Sequence, residues 1–212
     1  MAIEKVIGKE VTVYFDGTRC IHSRVCVLTH PDVFVPNAKG DWIFPDEAPA
    51  WEVLHIGASC PSGAIRVVQN NEAFDTNKPP QVNLLHLREN GPYAFEADLS
   101  INGDKDSVKA TLCRCGESKR KPYCDCSHIA IKFEATGEPT KVDFQDLAQR
   151  DGEVSVSPLP NGPLRVEGNL EIVSGTGQTV NKTTETFLCR CGHSSNKPYC
   201  DGTHAKIGFK AD

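Results

Sequence analysis

Apolar and polar residues alternate in short runs along the first third of the chain, and turn residues separate the runs. The alternating run Val11–Phe15 is followed by the turn pair Asp16-Gly17. In chain order, the pattern predicts a strand at 11–15, a helix at 20–28 that ends near Pro31, a strand at 42–44, a helix at 46–56 that starts near Pro45, and a strand at 65–68. This β-α-β-α-β order predicts a small α+β domain.

A polar segment separates this region from the rest of the chain. Between about residues 70 and 82 the sequence is rich in Asn and contains Pro79-Pro80, a composition typical of a linker. The interpretation is two domains, residues 1–75 and 82–212.

The second region is β-rich and internally repeated. The run Gly91–Ile101 aligns with Gly162–Ile172, so the repeat halves are about 91–133 and 162–209. Each half is too short to bury much core by itself, so we expect the halves to pack on each other. Further strands are predicted at 108–112, 154–156, 164–166 and 184–188, with one short helix at 143–149.

Composition excludes several classes of protein. The 212 residues are 39% hydrophobic and 24% charged, as in ordinary globular proteins, and the net charge of −5 provides no basic surface for nucleic acid. No apolar stretch is long enough to cross a membrane, and the start of the chain has no secretory signal pattern. We therefore expect a bacterial-type cytoplasmic protein whose ten cysteines are reduced thiols available for metal.

The strongest chemical signal is a duplicated cysteine block. Residues 112–133 read LCRCGESKRKPYCDCSHIAIKF, residues 188–209 read LCRCGHSSNKPYCDGTHAKIGF, and 14 of the 22 positions are identical. Both copies have the spacing C-x-C-x8-C-x3-H. Thiolate and imidazole at fixed spacing are metal ligands, so the duplication predicts two metal centres. The candidate ligands are Cys113, Cys115, Cys124 and His128 in the first copy, and Cys189, Cys191, Cys200 and His204 in the second.

Two metals fit this ligand set. Three cysteines and one histidine form a common structural zinc site, but zinc usually takes cysteine pairs spaced C-x2–4-C. A C-x-C pair can serve one iron of a binuclear cluster, and three cysteines and one histidine suffice for two irons that each need two protein ligands. The spacing therefore favours iron and leaves a zinc-binding interaction module as an alternative.

The block C-x-C-x2-S-x3-P-x-C-D-G-S/T-H resembles the signature of the CDGSH iron–sulfur proteins, the mitoNEET-type group. The resemblance implies one 2Fe–2S cluster per copy, with the C-x-C pair on the inner iron and the Cys–His pair on the outer iron. Members of this family typically form a two-fold homodimer. Two copies in one chain therefore imply an internal pseudo-dimer, which would make a monomer sufficient.

Two details modify this expectation. A neutral imidazole in place of a thiolate raises the reduction potential of a cluster, and a ligand that can take a proton makes the cluster acid-labile.

In the first copy Cys126 replaces the glycine of the pattern, which is Gly202 in the second copy. Either the substitution is tolerated and the thiol is inert, which we favour, or Cys126 is an alternative ligand during cluster transfer.

The three remaining cysteines form a separate set. Cys20, Cys26 and Cys60 occur as C-x-H-x3-C followed by C-P-x-x-A-I, which resembles the divergent single-cluster ferredoxin domain over residues 5–70. Three thiolates suffice for a 3Fe–4S cluster, whereas a 4Fe–4S cluster needs a fourth ligand from His22, Ser23 or water. The ligand count favours 3Fe–4S. Three unrelated buried thiols are the alternative without a cluster.

These observations predict a function without catalysis. The sequence has no nucleophile–base constellation and no phosphate, flavin or nicotinamide fingerprint, so we expect no enzyme. The fold expected from both resemblances is α+β, a small ferredoxin-like domain followed by a β-rich tandem CDGSH pseudo-dimer. The predicted function is electron transfer among these clusters and redox partner proteins. The alternative is a carrier that delivers clusters to apo iron–sulfur acceptors, or a redox or pH sensor.

Overall fold

The computed structural model describes residues 3–211 and divides the chain into two compact units. The first unit ends at Lys78 and the second begins at Pro79. Across residues 3–211, no helix is long and apolar enough to cross a membrane.

The first unit is a three-stranded antiparallel sheet with two helices. The sheet order is β1-β2-β3, and the predicted strands at 11–15 and 65–68 are confirmed. Val13, Val67, Val53, Ile56 and Phe34 are buried together, so α2 covers the sheet face that carries the alternate apolar residues. The elements are β1 Glu4–Ile7, β2 Val11–Phe15, α1 Val25–Thr29, a 3-10 turn Pro45–Glu47, α2 Ala50–Ser59 and β3 Ile65–Gln69.

The first predicted helix is only partly correct. It ends at Thr29 as expected but begins at Val25 rather than Cys20. His22 and Arg24 have φ of 51° and 64°, in the left-handed region, where an α-helix cannot form. Residues 20–24 are therefore a loop.

Two other elements are shorter or shifted because of proline. The predicted strand at 42–44 is a single bridge between Ile43 and Phe34, and Pro45 follows it at once. The helix predicted at 46–56 begins at Ala50, because Pro49 holds Ala48 in an extended conformation (φ −143°, ψ 160°).

Part of the predicted linker belongs to the first unit. The backbone N–H of Gln69 donates to Phe74 O and that of Thr76 donates to Val67 O, so the chain folds back along β3. Arg66 on β3 makes two hydrogen bonds to the Asp75 carboxylate, at 3.0 and 2.6 Å. The chain stays with the first unit as far as Lys78.

The second unit is an eight-stranded sheet with two single-turn helices, which confirms a β-rich region. The order is β7-β6-β9-β10-β4-β5-β8, and β11 pairs with β10. One cluster of buried aliphatic and aromatic residues drawn from both repeat halves forms its core. The elements are β4 Leu84–Leu87, β5 Tyr93–Glu96, β6 Asp98–Ile101, β7 Asp104–Lys105, β8 Lys109–Leu112, α3 Ser127–Ala130, β9 Glu153–Pro158, β10 Leu164–Val173, β11 Thr179–Leu188 and α4 Thr203–Lys206.

Each repeat half completes its sheet with a strand from the other half. β6 lies parallel to β9, and the end of β10 lies parallel to β4. The buried side chain of Asn83 fixes this arrangement, because its amide donates to Gly152 O and Asn169 O, both at 2.9 Å. Within each half the pairing is antiparallel, between β5 and β8 in the first and between β10 and β11 in the second.

The helix predicted at 143–149 is wrong. These residues have no regular secondary structure. The backbone N–H of Val142 donates to Val180 O, and Lys182 Nζ lies 2.6 Å from Asp146 Oδ1, so the segment is held along β11. A seven-residue helix has little stability of its own, and these contacts outweigh it.

The turns that follow β8 and β11 approach each other at two glycines. A Cβ at Gly116 would lie 2.5 Å from Cys191 O, and the reciprocal contact from Gly192 to Cys115 O is equally tight. Both glycines also have positive φ, 87° and 80°. Only glycine satisfies both constraints.

This contact predicts the effect of two matched substitutions. Gly103 has φ 86°, and a methyl group there would meet no atom of residues 3–211 within 4 Å beyond its chain neighbours, so Gly103→Ala tests the backbone conformation alone. We expect Gly103→Ala to lower the free energy of unfolding by about 1 kcal/mol, and Gly116→Ala by about 3 kcal/mol or more. Urea unfolding followed by circular dichroism measures both. Equal losses would show that the approach of the two turns is not tight.

Candidate metal centres

The end of β8 positions the first ligand set. The backbone N–H of Cys113 donates to Pro122 O and that of Cys124 donates to Thr111 O, so residues 113–124 close into a loop against the strand. Cys113, Cys115 and Cys124 are buried. The Sγ atoms of Cys113 and Cys115 are 3.7 Å apart, and Cys124 Sγ is 3.4 Å from His128 Nδ1.

The second ligand set has the same geometry at the end of β11. Cys189 Sγ and Cys191 Sγ are 3.8 Å apart, and Cys200 Sγ is 3.3 Å from His204 Nδ1. The backbone N–H of Cys189 donates to Pro198 O at 2.8 Å, which repeats the bond between Cys113 and Pro122. The structure thus brings each predicted set together as two pairs.

These separations fit two ligands on one tetrahedral metal ion. Thiolates about 2.3 Å from a metal and at the tetrahedral angle are about 3.8 Å apart, and a thiolate with an imidazole nitrogen at about 2.0 Å is about 3.5 Å apart. The measured pairs lie within about 0.2 Å of these values. Each block thus provides two ligand pairs, and each pair has the spacing that a tetrahedral metal ion requires.

A left-handed residue turns the chain between the ligands of the outer pair. Cys126 has φ 69° and precedes α3, and Gly202 has φ 82° and precedes α4. In each block this residue directs its backbone N–H to the cysteine two positions earlier, Cys126 to Cys124 Sγ and Gly202 to Cys200 Sγ. The turn is what brings the histidine back to the cysteine.

An aspartate fixes each of these turns. Asp125 accepts hydrogen bonds from the N–H groups of Lys119 and Ser127, and it connects the ligand loop to α3. Burial acts to raise the pKa of Asp125, but these hydrogen bonds outweigh it and lower the pKa to about 2. The carboxylate is therefore ionised at neutral and mildly acidic pH. Asp201 makes the equivalent bonds to Ser195 and Thr203.

Three of the ligand thiols need a metal to become thiolates at neutral pH. Burial raises the pKa of Cys124 to about 12, and it raises the pKa of Cys191 and of Cys200 as well. Cys113 differs, because a hydrogen bond from the Cys115 thiol lowers its pKa. Binding of iron therefore displaces protons from these sites.

Sequence reasoning missed two arginines between the ligands. Arg114 and Arg190, the middle residues of the two C-R-C runs, are each 1% exposed. Arg114 donates to the carbonyls of Arg88 and Thr136 at 3.0 and 2.7 Å, and Arg190 donates to Leu159 O at 3.2 Å. The identical arginine in both copies was the available signal. A buried guanidinium adds positive charge beside each inner pair and fixes its turn.

The three other cysteines line one cavity in the first unit. Its volume is about 340 Å³, and its wall also includes the apolar side chains of Phe15 and Ile56. Burial raises the pKa of Cys20 and of Cys26. Three thiols on one apolar cavity fit the external ligands of a single cluster, and the structure brings all three predicted residues to it.

Three polar side chains on the cavity wall lie near these cysteines and are relevant to the fourth ligand that a 4Fe–4S cluster needs. His22 Nδ1 lies 3.9 Å from Cys20 Sγ, and Ser23 also lines the cavity. Ser62 was not predicted; it is 3% exposed, and its Oγ lies 3.7 Å from Cys60 Sγ. Ser62 comes directly after Cys60-Pro61 in the sequence, but only the fold shows that its hydroxyl lies next to the Cys60 sulfur.

Comparison with known proteins supports both regions. The family model "Iron-binding zinc finger CDGSH type" matches residues 90–129 and 161–205, and the model "Divergent 4Fe-4S mono-cluster" matches residues 6–70. The protein named "Uncharacterized protein YjdI" is 37% identical over 59 residues in Escherichia coli strain K12 and equally in Escherichia coli O157:H7. Each match covers 28% of this chain and 76% of the relative.

The backbone at Cys126 predicts opposite effects for a reciprocal pair of substitutions. Gly202 has φ 82°, and a Cβ added there would lie more than 4 Å from every atom of the described residues except its chain neighbours, so a side chain meets only the conformational cost. We expect Cys126→Gly to raise the free energy of unfolding by about 1 kcal/mol, and Gly202→Cys to lower it by a similar amount.

Urea unfolding measures both variants, and visible absorption reports the metal centres. If Cys126 is not a resident ligand, Cys126→Gly retains the absorption of the parent protein. A loss of that absorption would make Cys126 a ligand.

Proposed function

This chain belongs to the CDGSH-type iron-binding family and carries a divergent 4Fe–4S mono-cluster domain ahead of its two CDGSH repeats, and on that premise we propose that it is an electron-transfer protein. It would hold two 2Fe–2S clusters, each on three cysteines and one histidine, and one larger cluster on Cys20, Cys26 and Cys60. We assign no catalysis to the chain itself. Its partners would be other redox proteins.

The observation that carries this proposal is the division of each block into two ligand pairs. The inner pair, such as Cys113 and Cys115, is buried, whereas the outer pair includes the partly exposed His128. When bound, an iron–sulfur cluster supplies a one-electron redox step. The protein holds the inner thiolates away from water and presents the histidine edge toward solvent, where a partner can approach.

The reciprocal strand pairing supports an internal pseudo-dimer. The two halves exchange strands, because β6 pairs with β9 and β4 pairs with β10. In addition, Gly116 and Gly192 each contact the cysteine turn of the opposite half. A separate half would leave these edges unpaired. A single chain would therefore supply both centres, and the protein would work as a monomer.

At the first unit we propose a ferredoxin-like site. Three thiols favour 3Fe–4S, as in the sequence prediction, while the matching family is described as a 4Fe–4S mono-cluster. His22 and Ser23 are the residues on the cavity wall that could supply a fourth ligand. Ser62 would instead donate a hydrogen bond to the Cys60 thiolate, because its Oγ lies 3.7 Å from that sulfur.

Cluster delivery to apo acceptors, or redox or pH sensing, is the second candidate. The observation that favours it is the histidine in each outer pair, because a proton competes with the metal for the imidazole. His128 and His204 are both partly exposed, so protons reach them.

One preparation separates these functions. We expect iron and sulfide analysis to give two 2Fe–2S clusters and one larger cluster per chain, and EPR of the isolated and reduced protein to distinguish 3Fe–4S from 4Fe–4S. Repeated reduction and reoxidation should leave the iron content unchanged. Transfer of the clusters to an apo-ferredoxin during the same cycles would favour the carrier. A colourless protein with stoichiometric zinc would contradict both.

The histidine ligands predict acid sensitivity. Burial lowers the pKa of His128 below its usual value of about 6.5, so the folded protein favours the neutral ring. The neutral His128 ring contributes its full share to the free energy of unfolding above about pH 6.5, the pKa of histidine in the unfolded chain. That contribution is lost as the pH falls from there through the lower pKa of His128 in the folded protein. We expect visible absorbance to decay on the order of tenfold faster at pH 5.5 than at pH 8.

The matched control is the double variant His128→Cys and His204→Cys, which keeps four ligands per site without imidazole. Its decay should be nearly the same at both pH values. Equal decay of the parent protein at both pH values would refute the role of histidine.

A further inference from the structure

Tyr93 connects the two metal centres through contacts that the ligand motifs do not contain. It is fully buried at the start of β5, in the first repeat half. Its hydroxyl donates to the carbonyls of Cys189 and Pro198, at 2.9 and 3.0 Å. Both carbonyls belong to the ligand loop of the second half, and Pro198 O also accepts the backbone N–H of Cys189. The hydroxyl therefore lies beside the inner ligand of the second centre.

The ring of Tyr93 faces the first centre. The Arg114 guanidinium lies 5.7 Å from the ring centroid, within the range of a cation–π contact. Arg114 is the residue between the ligands Cys113 and Cys115. The Tyr93 hydroxyl also interacts with the Arg114 side chain. A single side chain thus contacts the inner turn of each block, and it donates its hydroxyl proton to carbonyls of the second block.

The other half has no equivalent hydroxyl. Tyr93 pairs with Leu112, the residue before Cys113, and Leu164 pairs with Leu188, the residue before Cys189. Gly91-Pro92 and Gly162-Pro163 precede the two residues, so Tyr93 and Leu164 occupy equivalent positions. Leucine has no polar hydrogen to give to the loop of the first centre.

We infer that Tyr93 is a positioning residue that makes the two CDGSH centres electronically unequal, by placing a hydroxyl proton at the Cys189 turn of the second centre only. This inference rests on the proposed function, because it requires a cluster at each block. A cluster becomes more negative on reduction, and a proton directed at the adjacent peptide stabilises that extra charge. The second centre should therefore have the higher reduction potential.

The test is a reductive titration followed by EPR. Tyr93→Phe keeps the ring over Arg114 and removes the hydroxyl, together with its bonds to the two carbonyls of the second block and its interaction with the Arg114 side chain. In a His128→Cys background the first centre is all-cysteine and moves to lower potential, so the higher wave belongs to the second centre. We expect Tyr93→Phe to shift that wave to more negative potential. In a His204→Cys background, where the higher wave belongs to the first centre, the same substitution should shift it far less.

Tyr199→Phe is the matched comparison, because it deletes a hydroxyl in the second block whose partner is the Asn181 side chain. Its shift should be less than a third of that for Tyr93→Phe. If Tyr93→Phe does not accumulate, 4-aminophenylalanine at position 93 keeps a weaker donor and should give a smaller shift of the same sign.

The possible results separate the role of Tyr93 from the proposed electron-transfer function. Unmoved waves in a protein with full iron and sulfide overturn the inference and leave the proposed function standing. Equal shifts of both centres also overturn it. A parent protein without 2Fe–2S clusters overturns the inference and the proposed function together.

Discussion

The close approach of the two C-R-C-G turns is the constraint on which the second unit depends. Gly116 and Gly192 each lie against the carbonyl of the opposite turn, with no space for a side chain between them. That approach brings the inner pairs of the two blocks next to the same hydrophobic core. Arg114 and Arg190 are buried and hold the two turns through hydrogen bonds to backbone carbonyls. A buried guanidinium is tolerated there because backbone carbonyls receive its hydrogen bonds.

The ligand geometry depends on short-range devices at strand ends. β8 and β11 end directly before the inner pair, and a left-handed residue before α3 or α4 returns the histidine to its cysteine. Asp125 and Asp201 hold these turns with backbone hydrogen bonds. The same devices occur in both blocks, so the two sites have nearly the same separations although the sequences between the ligands differ.

The sequence predicted what local pattern controls. Strong alternation identified the strands at Val11–Phe15 and Lys109–Leu112, and the repeated spacing identified the two ligand sets, which the family resemblance divided into pairs. It did not predict features that depend on distant contacts. The segment 143–149 has a helix-like composition but is held by Val180 and Lys182. Tyr93 could not be selected, because its partner Cys189 becomes a neighbour only in the fold, and the direction of the Ser62 hydroxyl toward Cys60 is likewise set by the folded loop.

The exchange of strands between halves also has a consequence for the order of folding during synthesis. β4 and β6 emerge from the ribosome with open edges, and their parallel partners lie in β10 and β9, on average about seventy residues later in the chain. The first ligand set is therefore complete in the nascent chain well before the strands that close the sheet around it. Parallel pairing over such a distance forms slowly. The nascent chain is therefore most vulnerable between the synthesis of His128 and that of Gly192. During this interval the thiols of the first ligand set are exposed and the sheet is unfinished.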